Sequence, residues 1–103
     1  MTKFLFVYYG GIMAPTPAQQ KKSMDAWMKW FGSLGKAVVD MGAPTKPGKV
    51  VSKAGARAAG AANLVTGYTI VQANNLDSAL AMAKSCPIMG EGGKIAISEI
   101  MPM

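Results

Sequence analysis

Five carboxylates, three tyrosines, two tryptophans and one cysteine are the side chains through which this 103-residue chain could do acid–base, binding or nucleophilic chemistry, and it contains no histidine. The missing histidine removes the commonest general base and the commonest metal ligand. The lone Cys86 excludes an internal disulfide framework and a multi-cysteine metal centre, so no metal and no cofactor are expected. Among the carboxylates, Asp77 reads as a first-turn residue of a helix, favoured there by the helix dipole. Asp25 and Asp40 stand among lysines and read as surface charges. Glu91 lies in Gly90-Glu91-Gly92-Gly93, which is like a phosphate-cradling loop only in its glycine content, because a strand and not a helix follows. Glu99 interrupts a run of Ile95, Ile97, Ile100 and Met101, and on a strand it shares the face of Ile95, Ile97 and Met101. A carboxylate facing apolar neighbours is a candidate proton carrier. The plainer reading is a strand-end charge that reaches solvent or a lysine of a partner.

Tyr8, Tyr9 and Tyr68 fall on segments expected to be neighbouring strands, and their apolar bodies with polar tips suit a pocket for a small planar molecule. Trp27 lies on an apolar helical stripe and reads as core, whereas Trp30 falls off the centre of that stripe and can flank a cleft. Arg57 is the only functional side chain in the Ala/Gly stretch 54–62, and one arginine with a lysine or two can hold a carboxylate. Tyr9, Trp30, Arg57, Tyr68 and Glu99 are therefore the candidate ligand contacts. Cys86 precedes Pro87 with no partner to activate it and reads as a small buried residue. The nine methionines show no repeating spacing and read as flexible core filler.

Elements that would position these residues follow from the pattern. Lys3 to Tyr9 is an apolar run ended by two glycines, as in a central strand buried on both faces. Thr16-Pro17-Ala18-Gln19 supplies a cap, a first-turn proline and a glutamine three residues after the cap. Met24, Trp27, Met28, Phe31, Leu34 and Val38 then recur at helical spacing, which predicts one long helix stopped by Gly42 and the prolines at 44 and 47. Lys49 to Lys53 predicts a modest strand near a sheet edge, and Ala54 to Ala62 a mobile loop or loose hairpin tip. Leu64 to Ala73 is strand-like. Asn74 or Asn75 caps a second helix, Leu76 to Ser85, with Leu76, Ala79, Leu80 and Ala83 on one face, and Lys94 to Met101 is the closing strand. Strand, helix, strand, strand, helix, strand is the split, ferredoxin-like α+β order: a four-stranded antiparallel sheet with both helices on one face. The first strand is apolar on both sides, so the bare sheet face is expected to meet a second copy of the chain.

Composition sets the outer bounds. One domain spanning 1–103 is the expectation for this length. Half the residues are hydrophobic and 16% are charged, which excludes disorder. Lys3 with the run Phe4 to Tyr9 and Gly10 to Ala14 has the parts of a secretory signal, but its β-branched and aromatic character and the prolines at 15 and 17 argue for a strand. No stretch is long enough to span a bilayer, and a cytoplasmic location is the default expectation. The formal charge is +6, with Lys46, Lys49, Lys53 and Arg57 in a stretch free of acids. No aromatic interleaves with them, which disfavours nucleic acid as a partner.

The opening FLFVYYGG, the long helix running towards Gly42, the strand with Gly67-Tyr68, and Asn75-Leu76-Asp77-Ser78-Ala79-Leu80 leading through Cys86-Pro87 to a closing strand and Met-Pro resemble the YCII-related family of small dimeric α+β barrel proteins. The resemblance implies a homodimer joined through its sheets. The Asp-Gly-Pro-Phe signature of many relatives is replaced here by the Ala/Gly stretch, and the histidine–aspartate pair of some relatives has no histidine to occupy it. What the residues support is a homodimer that binds a small anionic or aromatic molecule in a cleft between sheet and helices. The alternatives are a non-catalytic dimerisation module and, less favoured, a basic nucleic-acid-binding protein.

Overall fold

A computed structural model describes residues 1–10, 16–46, 48–60 and 64–102. Gly11 to Ala14 of the signal-like segment, Pro15, Pro47, and Ala61 and Ala62 of the Ala/Gly stretch lie outside them. The described chain forms β1 (Thr2–Tyr9), α1 (Pro17–Leu34), a 3-10 turn (Gly35–Ala37), β2 (Val38–Asp40), β3 (Lys49–Ser52), β4 (Gly55–Ala58), β5 (Val65–Ala73), α2 (Leu76–Lys84), a second 3-10 turn (Pro87–Glu91) and β6 (Lys94–Glu99). Strands β2, β5, β1 and β6 make one antiparallel sheet in that spatial order, and β3 pairs only with β4.

β1 is central, as its doubly apolar sequence requires. Phe4, Phe6 and Tyr8 point to the helices and are buried, while Leu5, Val7 and Tyr9 alternate onto the other face and are half-buried. Trp30 from α1 and Ala79 and Ala83 from α2 close over the buried set together with Val71 and Ala73 of β5. Small alanines on α2 let that helix lie close to the sheet. Leu76 and Leu80, grouped with them by spacing, are instead 48% and 40% exposed.

Helix α1 begins where the sequence indicates: the backbone N–H of Gln19 donates to Thr16 Oγ1 at 3.2 Å and proline follows the cap. It ends earlier than the apolar spacing predicts. Gly35, at φ 54°, breaks the helix after Leu34, and Val38, four residues on and in helical phase, belongs to β2 and pairs with Val71. The sheet edge is thus Val38–Asp40, and Lys49–Ser52, expected there, lies in the separate β3–β4 hairpin. Gly55–Ala58, in the stretch expected as a mobile loop or loose hairpin tip, is the other strand of that hairpin. Glycine has no side chain and alanine only a methyl, so little in this strand's sequence signals the pairing.

The inward face of α1 also differs from the predicted stripe. Trp27, Trp30, Phe31 and Leu34 pack on the core, whereas Met24 and Met28 are 67% and 56% exposed. Continued towards the N-terminus, the same inward row reaches Ser23 and Gln20. The helix therefore presents aromatic residues to the sheet at its C-terminal half and polar ones at its N-terminal half, where it does not seal against the sheet.

Candidate functional site

A cleft of about 700 Å³ opens at this polar half of α1. One wall is α1, with Ser23, Met24, Trp27 and Phe31. The floor is the end of β1 and β5, with Tyr8, Thr66 and Thr69, and the opposite wall is the segment from Met41 to Thr45. Ile88 and Glu91 of the second 3-10 turn complete it.

Two glycines bring the 41–45 segment against β5. Gly42 sits at φ 71°, and a Cβ on it would fall 1.7 Å from the carbonyl oxygen of Tyr68; a Cβ on Gly67 would meet the carbonyl oxygen of Ala43 at 3.0 Å. With both side chains missing, Tyr68 N–H donates to Ala43 O at 3.3 Å and Thr45 N–H to Thr66 O at 3.0 Å.

The polar groups form two small networks. Tyr8 Oη donates to Thr69 Oγ1 at 2.7 Å, and Thr69 Oγ1 donates to the carbonyl of Met41 at 3.1 Å, which ties the floor to the wall. Glu91 accepts from Ser23 Oγ with one oxygen and from Trp27 Nε1, at 3.1 Å, with the other. The Tyr8 ring meets Trp27 edge-on at 5.1 Å between centroids, and Phe31 lies 6.2 Å from Trp27 on its other side. Burial holds the Tyr8 hydroxyl well above the usual tyrosine range, offset in part by the Thr69 hydrogen bond and reinforced by nearby Cys86. Burial likewise pushes the Cys86 thiol up to about 11, with the Ile88 backbone bond opposing and the Glu91 charge adding to the shift. Neither group is ionised at neutral pH, and neither is a nucleophile there. Among the described residues no three His, Cys, Asp or Glu side chains come together as a metal-binding group. Among them, too, no helix is long and apolar enough to cross a membrane.

The five residues singled out by sequence lie in different parts of the fold. Tyr68 reaches the rim of the cleft beside Gly42. Trp30 is 4% exposed and lies behind the cleft, its indole N–H donating to Met82 O and Ser85 Oγ at 3.1 and 3.2 Å. Tyr9 is on the outer sheet face, with the Lys94 ammonium 5.8 Å from its ring centroid. Arg57 is on the exposed hairpin opposite Val50. Glu99 pairs with Phe4 at the far end of β1 and is exposed. The two tryptophans exchange the parts that the apolar stripe assigned them: Trp27 lines the cleft and Trp30 is core. Glu91, which the sequence reading does not count among the candidate contacts, lines the cleft. Its one sequence signal is a solitary carboxylate inside a glycine-rich turn, where the backbone and not a helix face decides where it points.

No family model matches the chain, and no curated protein does. Among solved structures, the chain is similar to 5-chloro-2-hydroxyhydroquinone dehydrochlorinase (TftG) from Burkholderia phenoliruptrix AC1100, determined in complex with 2,5-dihydroxybenzoquinone. The match has a TM-score of 0.58 at 14% identity and covers 97% of this chain and 95% of that one. It defines the chain as a protein of that α+β fold.

Proposed function

We propose that the chain binds one small aromatic molecule in the cleft between α1 and the sheet. The observation that carries this reading is the cleft itself: Trp27, Phe31 and Tyr8 offer ring faces and edges around a space of about 700 Å³, within the size range of small-ligand sites, with a few fixed polar groups at its inner end. That the similarly folded TftG was solved in complex with 2,5-dihydroxybenzoquinone, a six-membered ring compound, supports a ring-sized ligand. No Lys or Arg lines the cleft, so of the two ligand classes expected from sequence the aromatic one is favoured over the anionic. The test is calorimetric titration with an uncharged phenol such as p-cresol. Saturable binding, weakened about tenfold or more by Trp27→Leu, supports the reading on the scale of one lost aromatic contact. No heat at millimolar ligand would overturn it.

The reading includes a ferredoxin-like, YCII-type homodimer, with the β3–β4 hairpin as an insertion ahead of β5. Leu5, Val7 and Ile70 share the sheet face turned away from the helices, none of them fully buried, and a second copy is the simplest cover for such a face. Light scattering on the full chain at micromolar concentration should return twice the 10.7 kDa chain mass, and Val7→Asp should return the monomer. A wild-type monomer would contradict the dimer without touching the cleft.

A further inference from the structure

The hydroxyl groups that line the cleft point their hydrogens back into the protein. Ser23 Oγ donates to Glu91, Thr45 Oγ1 to Val65 O at 2.9 Å, Thr66 Oγ1 to Tyr8 O at 3.3 Å, Thr69 Oγ1 to Met41 O at 3.1 Å and Tyr8 Oη to Thr69 at 2.7 Å. A hydroxyl has one hydrogen to give and two lone pairs to offer, so each of these groups can only accept from a ligand. Tyr68 borders the cleft beside Gly42, but it pairs with Val7 and is exposed, on the alternation turned away from the helices.

Charge narrows the choice. Glu91 is half-buried in the lining of the cleft, and its two hydrogen-bond donors, Ser23 and Trp27, are both neutral. The chain carries 11 Lys and Arg against 5 Asp and Glu, yet none of those cations lines the cleft. A partly desolvated carboxylate with neutral donors alone is the natural counter-charge for a cation brought by a ligand, and the aromatic faces beside it are attractive to a cation as well. An aromatic acid would meet the opposite here: its carboxylate would face the Glu91 carboxylate and hydroxyls whose hydrogens are already committed.

We infer that the cleft is selective for a small aromatic molecule bearing a protonated amine, the ammonium donating to Glu91 and the ring lying against Trp27 and Phe31. This deepens the aromatic-ligand reading and rests on it.

The experiment is calorimetric titration of the full chain at neutral pH with three molecules of matched shape: phenethylamine, phenethyl alcohol and phenylacetate. The amine is expected to bind about tenfold more tightly than the alcohol, as one charge-assisted hydrogen bond provides, and phenylacetate more weakly than either. In Glu91→Gln the amine should lose its advantage over the alcohol, both measured on that variant. The wild-type comparison needs no variant to fold. Alcohol binding as tight as the amine, tighter binding of the acid, or an undiminished amine preference in Glu91→Gln would overturn the inference and leave the aromatic reading standing. Absence of p-cresol binding would overturn that reading, and this inference with it.

Discussion

The indole nitrogen of Trp27 donates to Glu91 Oε1 at 3.1 Å, joining the middle of α1 to the turn before β6 across 64 positions of sequence. Ser23, one turn earlier on the same helix face, holds the other carboxylate oxygen. One acidic side chain thus clamps two turns of α1 to the far end of the chain and fixes the aromatic wall of the cleft.

Removing the clamp should be felt in stability. Glu91→Ala leaves the Trp27 N–H and the Ser23 hydroxyl without their acceptor in a half-buried site, which costs about 1–3 kcal/mol. Glu91→Gln keeps an acceptor for one of them and should cost less. Urea unfolding of the two variants checks this, and a Glu91→Ala protein as stable as wild type would show that the clamp contributes nothing.

The two positive-φ glycines that bracket the Gly35 to Gly42 stretch differ in a way that can be measured. Gly35, at φ 54°, has open space where a Cβ would stand, so Gly35→Ala carries backbone strain alone, about 1–3 kcal/mol. Gly42→Ala adds a collision with the Tyr68 carbonyl and should exceed about 4 kcal/mol, in the exceptional range for single substitutions. It should also weaken ligand binding, because it displaces the 41–45 wall. Equal costs for the two would mean that the wall is not seated on β5 as described.

Cys86 gives a pH signature. Its thiol ionises near 9.0 when unfolded and at about 11 in the fold, mainly because it is buried. Between those values the unfolded chain has lost a proton that the folded chain keeps, so stability falls as pH rises through that window. The full loss is at most about 2–3 kcal/mol. Tyr8 acts in the same direction at higher pH. The slope of unfolding free energy over that window should be shallower in Cys86→Ala than in wild type; identical slopes would place the thiol in water. A disulfide reagent in mildly alkaline buffer should react with the native thiol more slowly than with the unfolded chain, by up to about 100-fold from the thiolate fraction, since the thiolate is the reactive form.

The β3–β4 hairpin is exposed along its whole length. Arg57→Ala should therefore leave stability within about 0.5 kcal/mol of wild type, as surface substitutions do, and should leave p-cresol affinity unchanged. A large loss of affinity would mean that the hairpin folds over the cleft when ligand binds.

Much of the scaffold was legible because it is written in local chemistry. Thr16, Pro17 and Asn75 announce their helix starts, and Asn75 Oδ1 accepts from Ser78 N–H at 2.9 Å as a cap should. The alternation of Phe4, Phe6 and Tyr8 with Leu5, Val7 and Tyr9 announces a central strand with two apolar faces. What was hidden depends on a single backbone angle or on distant partners. Gly35 ends α1 early, which releases Val38 to the sheet, while tertiary packing against β1 and α2 decides which face of α1 points inward and so exchanges the parts of Trp27 and Trp30. Glu99 drew attention through its apolar strand neighbours, but the end of β6 is open to solvent. Glu91 is the carboxylate that tertiary packing carries to the aromatic residues, and no periodicity encodes that meeting.

The two indole N–H groups allow the central claim to be tested in one experiment. Trp27 Nε1 is bonded to Glu91 at the cleft, and Trp30 Nε1 is bonded to Met82 and Ser85 in the core. Their proton–nitrogen correlation signals, assigned with Trp27→Phe, are followed while p-cresol is titrated into the full chain. The account predicts a saturable shift of the Trp27 signal, accompanied by the backbone signals of Gly42 and Gly67, with the Trp30 signal moving far less. A Trp27 signal that stays still at saturating ligand, or shifts confined to the outer face of β1, would contradict it.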